Sequence, residues 1–204
     1  MFLVVLLTAN TLMLRSPGNG DQPVYVVTSE RFDPALPVKV QTHYHGDGAR
    51  ALSGEHMPRI EELLALDAQR VFVLPEAAGN IGDVNTNWSN ALDETRTTKD
   101  ALAVLGVTQV ESHTVSAHSA GGRALALALS RGTVRAGKLV LLDCLYEPAM
   151  TKIRQGIVEG TEVVIVRGTN LESRAQRFAE AFDTEPIVLP DHDATVRLAL
   201  DGTL

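Results

Sequence analysis

Ser119 is the residue whose neighbours best suit it to act as a nucleophile. It lies in Ala117-His118-Ser119-Ala120-Gly121, a run of small side chains around one hydroxyl. Before it, Val110–Val115 carries β-branched residues in rough alternation, the pattern of a strand. After it, Gly122–Ser130 is rich in alanine and leucine, both good helix formers. Leu125, Leu127 and Leu129 also alternate as in a strand, but the intervening alanines have poor β propensity and favour the helix. A serine on such a strand-to-helix step is thrust out of a sharp turn that its small neighbours allow. The backbone N–H of Ala120, at the start of the helix, then faces any oxyanion formed when the hydroxyl attacks a carbonyl. Serine is a weak nucleophile by itself. It needs a base to take its proton and a carboxylate to orient that base, so the elements that carry histidines and acids to the same edge matter equally.

Those elements belong to a chain of 204 residues, long enough for a sizeable core and read as one domain over residues 1–204. A hydrophobic content of 45% with 21% charged residues is globular, not disordered. The net charge of −7, without a lysine- or arginine-rich block, argues against nucleic acid or an anionic membrane as partner. No apolar run is long enough to cross a bilayer. Met1–Leu7 is apolar, but no positive charge precedes it and no clean cleavage site follows, so it reads as a strand and not a signal peptide. The single cysteine, Cys144, excludes an internal disulfide and leaves the compartment open, with the cytoplasm favoured. The oligomeric state is open as well.

Residues 2–14 and 24–28 read as two strands across the turn from Ser16 to Asp21, and can be antiparallel because no helix separates them. Val38–His43 follows as a third strand. Next comes a helix over 55–68, with Met57, Ile60, Leu63 and Leu64 inward, and then the short apolar strand Val71–Leu74. A further helix opens near Asn90 and ends before Gly106. Beyond Ser119 come the strand Lys138–Leu142, ending in Asp143, and the strand Val163–Val166. Thr169-Asn-Leu-Glu172 is a capping box for a helix with Leu171, Ala175, Phe178, Ala179 and Phe182 on one face. Ile187–Leu189 is the last strand; Pro190-Asp-His-Asp193 leads into a final helix with Asp193 as its N-cap. Short apolar strands alternating with helices predict a mostly parallel sheet covered on both faces, a three-layer α/β/α sandwich. The long polar stretch Pro75–Asn90, which holds the only tryptophan, Trp88, is a candidate for shaping a substrate pocket.

The segment Ala117–Gly121 resembles the nucleophile elbow of the α/β-hydrolase family, with Ala117 in place of the usual first glycine, and the order of elements extends the resemblance over essentially the whole chain. The resemblance implies a compact serine esterase or lipase-like enzyme working on a small acyl substrate without cofactor or metal. It places the base at His192, after the last strand. Asp143 ends the strand after the elbow helix, on the edge where Ser119 stands, and is preferred as the orienting acid; Glu172, after the next strand, is the alternative but is engaged in the capping box. His45-Gly46-Asp47 resembles the family's His-Gly segment after the third strand, which implies the Asp47 N–H as second oxyanion donor, beside Gly46. His118 is expected to pack beside Ser119, and with Gly46 and Trp88 it is a candidate for the substrate pocket. Cys144 adjoins the negative Asp143 and is expected to be a buried thiol, not a nucleophile.

A second class of chemistry starts from the histidines. Thr42-His43-Tyr44-His45-Gly46-Asp47 resembles the first zinc motif of metallo-β-lactamase-like hydrolases, and His118, Asp143 and His192 follow at spacings that suit further ligands. Against it, Gly48 stands where that motif ends in histidine, and the alanine-leucine helix after Ser119 suits that sandwich poorly. A non-catalytic binding protein on the α/β-hydrolase scaffold is the third possibility, because fold does not dictate chemistry.

Overall fold

Strand-forming segments that are apolar on both faces need helices on both sides, and the chain supplies them in alternation. A computed structural model describes residues 4–8, 10–46, 50–52, 54, 56–77, 88, 92–168 and 172–200. Its strands are β1 (Val4–Thr8), β2 (Thr11–Arg15), β3 (Pro23–Thr28), β4 (Val38–Tyr44), β5 (Arg70–Pro75), β6 (Val110–His118), β7 (Lys138–Leu142), β8 (Glu162–Arg167) and β9 (Ile187–Val188). Its α-helices are α1 (Met57–Leu66), α2 (Glu94–Leu105), α3 (Gly121–Ser130), α4 (Ala149–Gly156), α5 (Glu172–Glu180) and α6 (His192–Ala199). The strands form a nine-stranded sheet in the order β1-β2-β3-β5-β4-β6-β7-β8-β9. Pairing is antiparallel from β1 through β3 to β5, and parallel from β5 through β4 and β6 to β9.

The pleat sends neighbouring residues of one strand to opposite faces. Leu139 and Leu141 of β7 join Leu125 of α3, Ile153 of α4 and Phe178 of α5 in one core. Val140 and Leu142 of the same strand join Ile60, Leu63 and Leu64 of α1 and Ala194 of α6 in another. A third cluster sets Ala101 of α2 against Val38, Val40, Val71 and Val73. Helices α3, α4 and α5 thus pack with one face of β7 and α1 and α6 with the other, the α/β/α sandwich that the alternation predicts.

Four sequence expectations need amending. Residues 2–14 are not one strand: the chain reverses between Thr8 and Thr11 to form a hairpin inside the apolar run, so three strands precede β4. Asn90 lies outside the described residues, and α2 is capped by Asp93, whose carboxylate accepts from the Arg96 N–H at 2.9 Å. The last helix is capped by Asp191, which accepts from the Ala194 N–H at 2.6 Å, not by Asp193. That cap places His192 in the first helical turn. Finally, α4 was not expected, because only Ala149 and Ile153 of its eight residues are buried and so little apolar period exists to read. Thr169–Leu171 of the capping box lie outside the described residues, although α5 does begin at Glu172.

Candidate active site

Ser119 follows directly on β6 with a φ of 49°, in the left-handed region that non-glycine residues seldom adopt. Two bonds hold it there. Its N–H donates to the Leu142 carbonyl at the end of β7 (3.0 Å), and its own carbonyl accepts from the Gly122 N–H (3.1 Å). The turn is tight because α3 starts hard against β4: a Cβ on Gly121 would fall 2.2 Å from the Tyr44 carbonyl oxygen. Ala117 serves where the family has glycine because it is still in the strand, paired with Tyr44 and Leu141. Ala120, at φ −62°, ψ −18°, opens the helix, so its N–H has no carbonyl one turn earlier to bond to.

Asp143 follows β7 as Ser119 follows β6, again with a positive φ, 45°. Its N–H donates to the Val166 carbonyl of β8 at 2.8 Å. Its side chain is buried, and Oδ2 accepts from His192 Nδ1 at 2.5 Å. The carboxylate thereby fixes the proton of the imidazole on Nδ1 and makes Nε2 the acceptor. His192 is one-third exposed, at 35% of its side chain, so its ring faces solvent while its partner does not. Asp143 Oδ1 has no hydrogen-bond partner among the described residues.

Three further histidines, His118, His43 and His45, are buried. His118 packs its ring 4.4 Å from that of His192 and hydrogen-bonds through Nε2 to the His192 carbonyl at 3.3 Å. Burial, reinforced by the neighbouring His192, pushes its pKa down to about 3, so it is neutral. His43 bonds through Nδ1 to Ser116 Oγ at 2.9 Å and is likewise driven well below its ordinary value by burial. His45 turns Nδ1 to the Gly46 carbonyl (2.9 Å) and Nε2 to Glu76 (3.1 Å). Each described zinc candidate thus has its own partner, and among the described residues no three histidine, cysteine or acidic side chains are grouped to hold a metal. Asp47 lies outside the described residues. Gly46 lies against the nucleophile, where a Cβ would come 3.0 Å from Ser119 Cβ.

No protein-family model and no curated protein matches the chain. Solved structures do. A ferulic acid esterase superposes with a TM-score of 0.66 at 16% identity, over 98% of this chain and 95% of its own. The S-formylglutathione hydrolase of Staphylococcus aureus gives 0.59 at 15% identity, over 98% and 96%. That of Agrobacterium tumefaciens gives 0.56 at 15% identity, over 98% and 95%. The chain has the α/β-hydrolase fold.

On this α/β-hydrolase scaffold a cavity of about 260 Å³ opens beside the elbow, walled by Ser119, Ala120, Arg123, Tyr146, Glu147 and Ala149. Tyr146 is the residue that sequence reasoning missed. It borders the same cavity as Ser119 and is 38% exposed. No spacing marks it: it is one aromatic residue in the stretch between β7 and α4. Trp88 is not in this wall; its ring is buried edge-on to Tyr44 (5.3 Å) and 5.0 Å from His45. Cys144 also borders the cavity, but burial, with Asp143 adding to it, pushes the thiol up to about 12, far from a thiolate at neutral pH.

Proposed function

We propose that the protein is a serine hydrolase that cleaves carboxylic esters of small acyl groups through an acyl-enzyme. The observation that carries the reading is the 2.5 Å bond from His192 Nδ1 to the buried Asp143 carboxylate, on the sheet edge where Ser119 stands in its left-handed turn. In this reading Ser119 Oγ attacks the acyl carbon and His192 Nε2 takes the hydroxyl proton. Asp143 holds the ring in the required tautomer and stabilises the imidazolium. The Ala120 N–H receives the oxyanion, with the Asp47 N–H as the second donor that the family resemblance implies. His192 then returns the proton to the departing alcohol, and water repeats the sequence on the acyl-enzyme. No step calls for a cofactor. Among the superposed proteins are a ferulic acid esterase and S-formylglutathione hydrolases, which supports hydrolysis of an acyl substrate as the reaction class.

The test is covalent labelling with a fluorophosphonate, followed by peptide mass spectrometry. The expected adduct is on Ser119, absent from Ser119→Ala, with ester hydrolysis lost in the same variant. An adduct elsewhere, or an alanine variant that hydrolyses an activated short-chain ester at the wild-type rate, overturns the reading.

A further inference from the structure

His118 is the last residue of β6 and joins directly to Ser119, yet its side chain reaches the residue read as the base. Its Nε2 lies 3.3 Å from the His192 carbonyl oxygen, and its ring packs 4.4 Å from the His192 ring at a tilt of 36°. From these two contacts we infer that His118 is a positioning residue for the base, tying His192 to the strand that carries the nucleophile. The inference rests on the serine-hydrolase reading and adds a residue to it.

The path through the sheet between nucleophile and base is long. Ser119 leaves β6, His192 follows β9, and β7 and β8 lie between them. Small displacements at each pairing add along that path, and a misplacement of about 1 Å costs roughly 10²-fold in rate. The His118 bond shortens the path to one side chain. Asp143 holds the ring of the base through Nδ1 from the end of β7, and His118 holds the backbone of the same residue from the end of β6. The base is thus gripped at its ring and at its main chain.

The partners fix the direction of the bond. A carbonyl only accepts, so His118 carries a proton on Nε2 and donates it. The same carbonyl accepts from Thr195 Oγ1 at 2.7 Å, and a carbonyl oxygen has two lone pairs to share. His118 is buried, and burial with the neighbouring His192 brings its pKa down to about 3, so the ring against the base stays neutral. A neutral ring there does not repel the imidazolium that forms on His192 during attack. Gly46 leaves room for this ring, since a Cβ on it would stand 3.3 Å from His118 Nδ1. His118 is not in the wall of the cavity beside Ser119; its action on the reaction runs through His192, and it gives up no proton.

His118→Phe keeps a ring against His192 and removes the donor. With wild type and variant compared on an activated short-chain ester, kcat is expected to fall by about tenfold, less than a full 1 Å misplacement costs. KM should stay within about twofold, because the lost contact acts on the base and not on bound substrate. Fluorophosphonate labelling of Ser119, which draws on the same base, should slow by the same factor as kcat. A residue that only fills the core would lower the melting temperature and leave both rates of the folded protein alone. Nitrogen NMR of histidine-labelled wild type needs no variant: at neutral pH it should find His118 neutral, with its proton on Nε2 and slow to exchange with solvent. A folded His118→Phe protein with wild-type kcat and labelling rate, or a change confined to KM, overturns the inference. So does a His118 proton that sits on Nδ1 or exchanges freely, while labelling of wild type at Ser119 keeps the hydrolase reading in each of these cases. Wild-type protein that takes no label at Ser119 overturns both.

Discussion

Replacing Asp143 by asparagine tests the orienting acid with the least disturbance of the fold. Asparagine has the shape of aspartate and tolerates the left-handed backbone, so the φ of 45° at this position need not change. The chemistry changes sharply. The charge facing His192 across 2.5 Å disappears, and with it the attraction to the imidazolium that forms during attack. Charges centred about 4 Å apart at an effective dielectric of about 20 attract by about 4 kcal/mol. At about 1.4 kcal/mol per decade, that corresponds to roughly a thousandfold in kcat. An amide NH₂ turned towards Nδ1 would also force the proton onto Nε2, where it blocks acceptance from Ser119, and raises the expected loss to roughly 10³–10⁴. The assay is kcat under saturating activated ester, with thermal melting run alongside to check that the variant is folded. Glu172→Gln is the matched comparison and should retain wild-type kcat. A folded Asp143→Asn protein within a few-fold of wild type, with Glu172→Gln inactive, refutes the assignment and moves the acid to α5.

Three further outcomes are expected. His56 and His118 are held neutral by burial, at about 4 and about 3 against an ordinary 6.5, so below 6.5 the unfolded chain binds protons that the fold refuses. Stability should be complete above that value and fall on acidification towards the folded-state values, by up to about 1.4 kcal/mol per pH unit for each histidine. A melting temperature that stays flat between about pH 7 and about pH 5, above most carboxylate titration, would contradict this. Gly121→Ala should cost about 1–3 kcal/mol or more in denaturant unfolding, because its Cβ would fall 2.2 Å from the Tyr44 carbonyl oxygen; an unchanged midpoint would show that α3 is not wedged against β4. Exhaustive chelation should leave ester hydrolysis unchanged, whereas loss that zinc restores would revive the metal reading.

The sheet was legible where the chain alternates cleanly. From Val38 onward each short apolar run became a strand, and Ser119 and Asp143 fell at strand ends because β6 is readable from β-branched alternation and β7 as a short apolar run. What escaped was carried by features with no periodicity. The reversal after Thr8 is hidden inside an apolar run, and α4 buries too few side chains to show a stripe. The cap at Asp191 competed with an identical residue two positions on, and sequence alone does not decide which aspartate caps the helix. Tyr146 gave no signal because its place in the cavity wall with Ser119 depends on the path between β7 and α4. Trp88 is a pocket candidate on the strength of its loop; its ring packs against Tyr44 and His45, and the rest of residues 78–91 lies outside the described residues.

The three side chains of the proposed triad are not equally anchored. Ser119 and Asp143 hang from the sheet interior through backbone bonds to Leu142 and Val166. His192 hangs from β9, a two-residue edge strand paired only to β8, with the Leu189 N–H bonded to the Arg167 carbonyl as a further tie. Edge segments with few bonds open at lower free energy than the strands behind them. On heating, the base is therefore the first of the three to leave. Catalysis would fade while the elbow and its acid neighbour were still in register, and cooling from that stage would restore activity without refolding the sheet.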